Sequence, residues 1–219
     1  MSDFITSVTR LAIFTVPLLL GVVLHELAHG YVAWLYGDPT AKNAGRLTLN
    51  PIKHLDKTGT LVFLLTAFFS SFVIGWAKPV PIDPRYFRKP RQGIMVVSLA
   101  GPLANFALVI LFYIGFSLLF MVSAEGEGGF LGFFLEPLLN IFAAGVIVNA
   151  ILGVFNLLPI PPLDGSKILA GLLPSSMRRP YFRLERYGFF ILLLLFMTGA
   201  LRYVFEPIFY VLGPLLHLN

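Results

Sequence analysis

The 219-residue sequence contains no cysteine, and only 12% of its residues are charged. The absence of thiols excludes a disulfide framework and a thiolate metal site, so a bound metal ion would need histidine, aspartate or glutamate ligands. Soluble domains typically carry about 25% charged residues. The low charge, with a hydrophobic content of 57% and a mean hydropathy of +0.84, therefore predicts an integral membrane protein surrounded by the lipid bilayer.

The apolar residues are gathered in long runs, which cover 11–36, 59–77, 93–122, 138–160 and 188–216. A run of about 20 apolar residues is long enough for a helix that crosses a membrane. We therefore expect an all-α, polytopic membrane protein that forms one domain over residues 1–219, with additional membrane helices in 186–217. Arg202, Glu206 and Pro207 interrupt the last run, so it forms either one long helix or two shorter ones.

Lysine and arginine cluster in three blocks between the apolar runs, at 38–58, 78–91 and 162–187. Residues 122–137 contain neither basic type but contain three glutamates. The positive-inside rule therefore predicts a multi-pass protein of the cell membrane whose basic blocks are cytoplasmic, with the N-terminus and residues 123–136 outside. The net charge of +5 is explained by this topology, so it does not indicate a nucleic acid partner.

The segment 59–77 decides whether this topology is consistent. If it crossed the bilayer, the first two basic blocks would lie on opposite faces. A re-entrant hairpin with its turn near Ser70 and Ser71 keeps both blocks cytoplasmic, provided that protein or a wet cavity covers its backbone. On the same face we expect short β segments, because 44–49 alternates in polarity and the proline-rich 78–84 suits an extended edge.

An H-E-x-x-H motif, formed by His25, Glu26 and His29, lies inside the first apolar run. Residues four apart share one face of a helix, so both imidazoles can approach one metal ion. Glu26 would lie about 100° around the helix from His25, where it could take a proton from a metal-bound water. The short motif also occurs by chance, and a histidine on an apolar helix can be a hydrogen-bonded core residue. Three ionisable groups in one membrane-embedded turn favour a functional site.

Two histidines need a third protein ligand to make a catalytic zinc centre. Asp164 is the only acidic residue between Glu136 and Glu185, and it follows prolines that would break the preceding helix. Gly165 beside it would permit an unusual backbone angle. A broken membrane helix would leave a wet pocket for a metal-bound water. Alternatively, Asp164 could be the N-cap of the next helix.

These motifs resemble those of the site-2 protease family, the membrane-embedded zinc metalloproteases of peptidase family M50. The resemblance rests on His25-Glu26-Leu27-Ala28-His29, on Gly75 to Pro81, on Gly101-Pro102-Leu103-Ala104-Asn105 and on Asn156 to Gly165, which matches N-x-x-P-x-x-x-x-D-G. It covers roughly 10–175, and the segments 75–81 and 101–105 resemble the small bacterial members. No segment resembles the PDZ or cystathionine-synthase-type domains of larger relatives.

The resemblance implies three core helices, a Zn²⁺ ion held by His25, His29 and Asp164, and Glu26 as the general base. The family's asparagine would be Asn156, a donor to the substrate or to the oxyanion. The implied activity is that of a zinc metalloendopeptidase acting in regulated intramembrane proteolysis. Its partner would be a transmembrane protein substrate, held as an added strand along 44–49 or 78–84.

Two other functions fit the same residues. A membrane metal carrier would use intramembrane histidine and aspartate but would not need Glu26. An inactive scaffold that binds a partner helix would tolerate loss of the metal ligands. Among the remaining polar residues, His54 is either an interfacial loop histidine or a gate or extra ligand, and Asn105 and Asn149 are expected to form hydrogen bonds between helices.

The topology can be tested with single cysteines, because the natural chain has none. An impermeant thiol reagent applied to intact cells should label a cysteine at position 126 but not one at 56 or at 88. Labelling at only one of the two positions 56 and 88 would show that 59–77 crosses the membrane, and would refute the predicted hairpin.

Overall fold

The computed structural model describes residues 2–69, 75–125 and 130–218. The helices within these ranges are α1 (Ser2–Leu35), α2 (Thr40–Asn43), α3 (Lys57–Phe69), α4 (Pro90–Glu125), α5 (Phe130–Leu157), α6 (Asp164–Leu172), α7 (Ser175–Phe182), α8 (Glu185–Met197) and α9 (Leu201–Leu215). Single 3₁₀ turns lie at Pro51–Lys53 and Pro84–Tyr86.

Three of the described helices are long and apolar enough to cross a membrane: Leu11–Leu35 in α1, Pro90–Ser123 in α4 and Gly132–Leu157 in α5. Helices α8 and α9 form a bent pair at an angle of 62°, which would make a fourth span if the pair crosses as one unit. The bend follows from Gly199, which adopts a φ of 71° and ends α8, since residues other than glycine rarely take this conformation. The last apolar run is thus two helices.

The three long helices pack against one another, and α4 and α5 share the largest apolar cluster. Its buried members are Leu108, Phe112, Phe116, Ala143, Val146 and Leu216. The two helices approach closely because each presents a glycine to an aromatic ring of the other: Gly115 faces Phe142, and Gly145 faces Phe112. Small residues serve this purpose in membrane helices, where dispersion contacts replace the hydrophobic effect as the source of packing energy.

The predicted β segments are wrong, because the described residues contain no strand. Residues 44–49 form a turn after α2, with Gly45 at a φ of 64° and the Arg46 amide bonded to Ala41 O. In 78–84, Pro79, Pro81 and Pro84 have no N–H to donate to a neighbouring strand.

Three of the four amides that remain in 78–84 bond outside the segment. Lys78 N–H donates to His54 O, Val80 N–H to a carboxylate oxygen of Glu26, and Asp83 N–H to Asp38 Oδ2. The segment is therefore extended but tied to loops and side chains. The role of this segment in holding a substrate strand stays a prediction.

The re-entrant hairpin predicted for 59–77 is not seen as such. Its first part is the continuous helix α3, and the expected turn at Ser70 and Ser71 lies outside the described residues. The structure does show that the two ends of the segment meet, because Leu55 and Ala77 form an isolated antiparallel bridge and Trp76 Nε1 donates to Asp56 Oδ1 at 3.1 Å.

The first two basic blocks lie together at one end of the helix bundle. Arg46 of the first block donates to the carbonyl oxygen of Lys78 in the second at 2.6 Å, and Asp38 accepts from the Asp83 amide at 2.6 Å. The segment between the blocks therefore starts and finishes at the same end of the bundle.

Arg91, at the start of α4, anchors α6. Its Nε donates to Gly171 O and its Nη2 to Leu173 O at 3.2 Å, which satisfies carbonyl groups at the end of α6. Met95, one turn further along α4, packs against Gly171 of α6. This attachment positions α6, whose first residue is Asp164.

The glycine contacts between α4 and α5 predict a difference between two alanine substitutions. Gly115→Ala places a methyl group against the Phe142 ring and should destabilise the folded protein by about 1–3 kcal/mol. Gly132→Ala is the matched control: no atom of the described residues lies within 4 Å of a Cβ there, so stability should be unchanged or higher by up to about 1 kcal/mol. Unfolding in detergent micelles measures both. Equal stability of the two variants would contradict the close approach of α4 and α5.

Candidate metal centre

The structure brings His25, His29 and Asp164 together in a buried cluster. The two imidazoles lie one turn apart on α1, and Asp164 begins α6. Asp164 Oδ2 is 3.1 Å from His25 Nε2 and 2.9 Å from His29 Nε2, and the two Nε2 atoms are 3.0 Å apart. Within the described part of the chain, this is the group of histidine and acidic residues whose ligand atoms could hold a metal ion.

Both histidines direct Nε2 into the cluster because their other nitrogens are bonded outside it. His25 Nδ1 lies 2.7 Å from Asn105 Oδ1, and His29 Nδ1 lies 2.7 Å from Val97 O. Both partners are oxygen acceptors, so each Nδ1 carries a proton and donates. In a neutral imidazole, Nε2 is then the unprotonated nitrogen, which is the form that binds a metal.

The donor set fits a zinc ion. Three acceptor atoms about 3 Å apart repel one another unless a proton or a cation lies between them. One proton can bridge only two of the three atoms, whereas a divalent cation can satisfy all three at once. Two imidazole nitrogens and one carboxylate oxygen leave a fourth tetrahedral position for water or substrate, as in catalytic zinc sites.

The break between α5 and α6 places Asp164 in the cluster. Helix α5 ends at Leu157, and the proline-rich segment that follows turns the chain before α6 begins. The alternative that Asp164 caps α6 is not what the structure shows, since Leu163 is the N-cap residue and no side-chain cap bond forms.

Two glycines allow the close approaches around the cluster. A Cβ atom at Gly101 of α4 would lie 2.5 Å from His29 Nε2 and 2.6 Å from His25 Nε2, so a larger residue would displace both imidazoles. Gly165 packs against the Leu157 carbonyl oxygen, and it is not among the residues with positive φ. Close approach, rather than the unusual backbone angle expected from the sequence, is therefore the reason for a glycine at 165.

The second carboxylate oxygen of Asp164 is also held. Lys167, one turn along α6, donates to Oδ1 at 3.0 Å with its side chain half-exposed. With Oδ1 paired to the Lys167 ammonium, the Asp164 carboxylate presents Oδ2 to the cluster.

Glu26 lies beside the cluster on α1 rather than within it. Its Oε2 accepts a hydrogen bond of 2.7 Å from the Val80 amide, which ties the extended segment 78–84 to the site. The side chain is half-buried. Its position next to His25 in sequence and its fixed orientation are compatible with the predicted role as a base.

Asn156 and His54 have other partners in this structure. The Asn156 amide donates to Leu152 O of its own helix at 3.0 Å, and no recorded contact joins it to the cluster. His54 is buried and its Nε2 donates to Thr48 O at 2.8 Å, so it stabilises the loop before α3 rather than adding a ligand. The role of Asn156 toward a substrate stays a prediction.

The sequence interpretation did not assign roles in the site to several residues that contact the ligands. They are Val97, Gly101, Asn105 and Lys167. The spacing of Gly101 and Asn105 by one helical turn in an apolar run, and of Asp164 and Lys167 by three residues, was the available signal. The backbone carbonyl of Val97 leaves no such signal.

Comparisons with known proteins show which family this chain resembles. The family model described as Peptidase family M50 matches residues 13–199. The Bacillus subtilis (strain 168) protein named "Putative zinc metalloprotease YwhC" is 45% identical over 192 residues, which are 88% of this chain and 83% of that protein. "Putative zinc metalloprotease Rip2" of Mycolicibacterium smegmatis is 32% identical over 197 residues, covering 88% and 70%. No solved structure matches the chain.

We expect about one zinc ion per chain, bound through His25, His29 and Asp164. His25→Ala and Asp164→Ala each remove one of three donors, so metal analysis of the purified variants should show zinc lost. His217→Ala is the control, because His217 stacks on Phe120 and is not part of the cluster. Full zinc retention in either ligand variant would remove that residue from the site.

Proposed function

We propose, since the chain belongs to peptidase family M50, that it is an intramembrane zinc metalloendopeptidase that hydrolyses peptide bonds of transmembrane substrate helices. The observation that carries the proposal is the convergence of His25, His29 and Asp164 between a membrane-spanning helix and the break that precedes α6. The relatives' names assign the same cofactor and reaction class.

His25, His29 and Asp164 would hold the zinc ion. When bound, zinc would supply Lewis acidity toward the scissile carbonyl and the attacking water. Gly101 leaves room for the imidazoles, and Lys167 keeps Asp164 turned toward them through the oxygen that does not face the cluster.

Glu26 acts as the general base. It takes a proton from the attacking water and delivers it to the amine that leaves when the peptide bond breaks. The Val80 amide holds one carboxylate oxygen of Glu26 at 2.7 Å, which leaves the second oxygen for proton transfer. Asn156 is the proposed donor to the substrate or to the oxyanion, a role for which its amide would have to leave Leu152 O.

The substrate is a helix in the bilayer, because the site lies at membrane depth. His29 is six residues before Leu35, the end of α1, which corresponds to about 9 Å along a helix. A transmembrane helix satisfies its backbone hydrogen bonds internally, so it must unwind locally before it can be cut. Cleavage of such helices would make the protein part of regulated intramembrane proteolysis.

The active site faces the cytoplasmic side of the cell membrane. The two basic blocks that contact each other through Arg46 and Lys78 lie at the end of the bundle where α1 ends and α4 begins. Asp164 begins α6, which follows the end of α5. The other end of α6 is bonded to Arg91 at the start of α4, so α6 lies at this end of the bundle as well. The positive-inside rule then assigns this end to the cytoplasm.

Replacement of Glu26 by glutamine separates this function from metal transport and from an inactive scaffold. Glutamine has nearly the same shape but cannot take the proton, so cleavage of a co-expressed single-span substrate should fall by about 10²–10⁴-fold. Zinc content should stay at the wild-type level, because Glu26 is not one of the three clustered ligands. Retained cleavage would exclude the protease mechanism.

A further inference from the structure

Two asparagines, Asn105 on α4 and Asn149 on α5, are fully buried within membrane-spanning helices. An amide in an apolar interior costs several kcal/mol unless its hydrogen bonds are made. Such residues inside a membrane protein are therefore expected to have a specific structural or functional partner. Here the partner of Asn105 is the candidate metal ligand His25.

The hydrogen bonds of the pair determine which way the Asn105 amide points. Asn149 Nδ2 donates to Gly145 O at 2.9 Å, which leaves Asn149 Oδ1 as an acceptor. Asn105 Nδ2 donates to that oxygen at 3.0 Å and to Gly21 O at 3.2 Å. The reversed amide would place Asn105 Oδ1 against two acceptors, so the oxygen must face His25.

This orientation sets the tautomer of His25. Asn105 Oδ1 lies 2.7 Å from His25 Nδ1 and can only accept, so Nδ1 carries the proton and Nε2 has a free lone pair. Nε2 is the atom that faces Asp164 Oδ2 and His29 Nε2. His29 is oriented by a backbone carbonyl instead, so His25 is the histidine whose state depends on side chains of other helices.

We propose that Asn105, oriented by Asn149, is a positioning residue that holds His25 in the metal-binding tautomer and ring orientation. The inference rests on the proposed zinc site and adds a role for two residues outside it. The chain of bonds joins all three spanning helices at the level of the site, since Gly21 and His25 are on α1. Gly21 also permits the arrangement, because a Cβ there would lie 2.5 Å from Asn149 Oδ1.

Two substitutions at Asn105 separate positioning from packing. Asn105→Leu removes the acceptor for His25, whereas Asn105→Asp keeps an acceptor oxygen but removes both N–H donors to Gly21 and Asn149. Loss of an outer-sphere partner typically weakens metal affinity about 10–100-fold. We therefore expect Asn105→Leu to weaken zinc binding by about that factor. Asn105→Asp should recover part of the loss, because it keeps an acceptor for His25 but loses the donors that orient it.

Zinc affinity is measured by chelator competition on purified protein in detergent, and the absorption spectrum of the Co²⁺-loaded protein reports ligand geometry. Asn140→Leu is the matched control, because Asn140 is an exposed asparagine on α5 and should bind zinc like the wild type. Asn149→Leu removes one of the two bonds that orient Asn105, so its loss of affinity should lie between those of the control and Asn105→Leu.

The outcomes are distinct. Zinc affinity of Asn105→Leu within about threefold of the wild type, or equal weakness of the leucine and aspartate variants, would overturn the positioning role. If Asn105→Leu does not fold, an Asn149→Leu protein that folds and binds zinc like the control overturns it instead. If His25→Ala binds zinc as tightly as the wild type, the proposed metal site itself fails, and the role of Asn105 fails with it.

Discussion

The structure depends on the meeting of three electron-pair donors, two imidazole nitrogens and one carboxylate oxygen, in a place shielded from water. They lie about 3 Å apart, where they repel unless a cation is shared among them. Burial strengthens both this repulsion and the attraction for a metal, because the local dielectric constant is low. The surrounding residues keep the donors together, and a cation shared by all three would also stabilise the fold.

Small residues and buried amides together hold the three donor atoms in place. Gly101 lets α4 approach the imidazoles, and Gly21 makes room for Asn149 beside α1. Each buried amide then has a defined partner, so the polar groups do not carry the desolvation cost of unpaired ones. The same contacts that pack the helices therefore also orient the candidate ligand His25.

The loops at the end of the bundle where α1 ends and α4 begins are held by side chains that bond to the backbone. Carboxylates of Glu26 and Asp38 accept the Val80 and Asp83 amides, and Arg46 binds the Lys78 carbonyl. Side chains thus satisfy backbone groups that a sheet would otherwise pair. Prolines explain why the extended segment 78–84 is not a strand. The alternating polarity of 44–49 was misleading because that segment forms a turn after α2.

The sequence by itself determined the membrane class, the apolar runs that contain the three long helices, and the shared helix face of His25 and His29, because these depend on composition and on local spacing. It also indicated Asp164 as a candidate third ligand, because this is the only acidic residue between Glu136 and Glu185. Only the tertiary structure decided which atoms converge, which tautomer His25 adopts, and that Gly101, Asn105 and Lys167 surround the ligands. The decisive contacts join residues 68, 80 and 139 positions apart, and no local pattern specifies the distance between such groups.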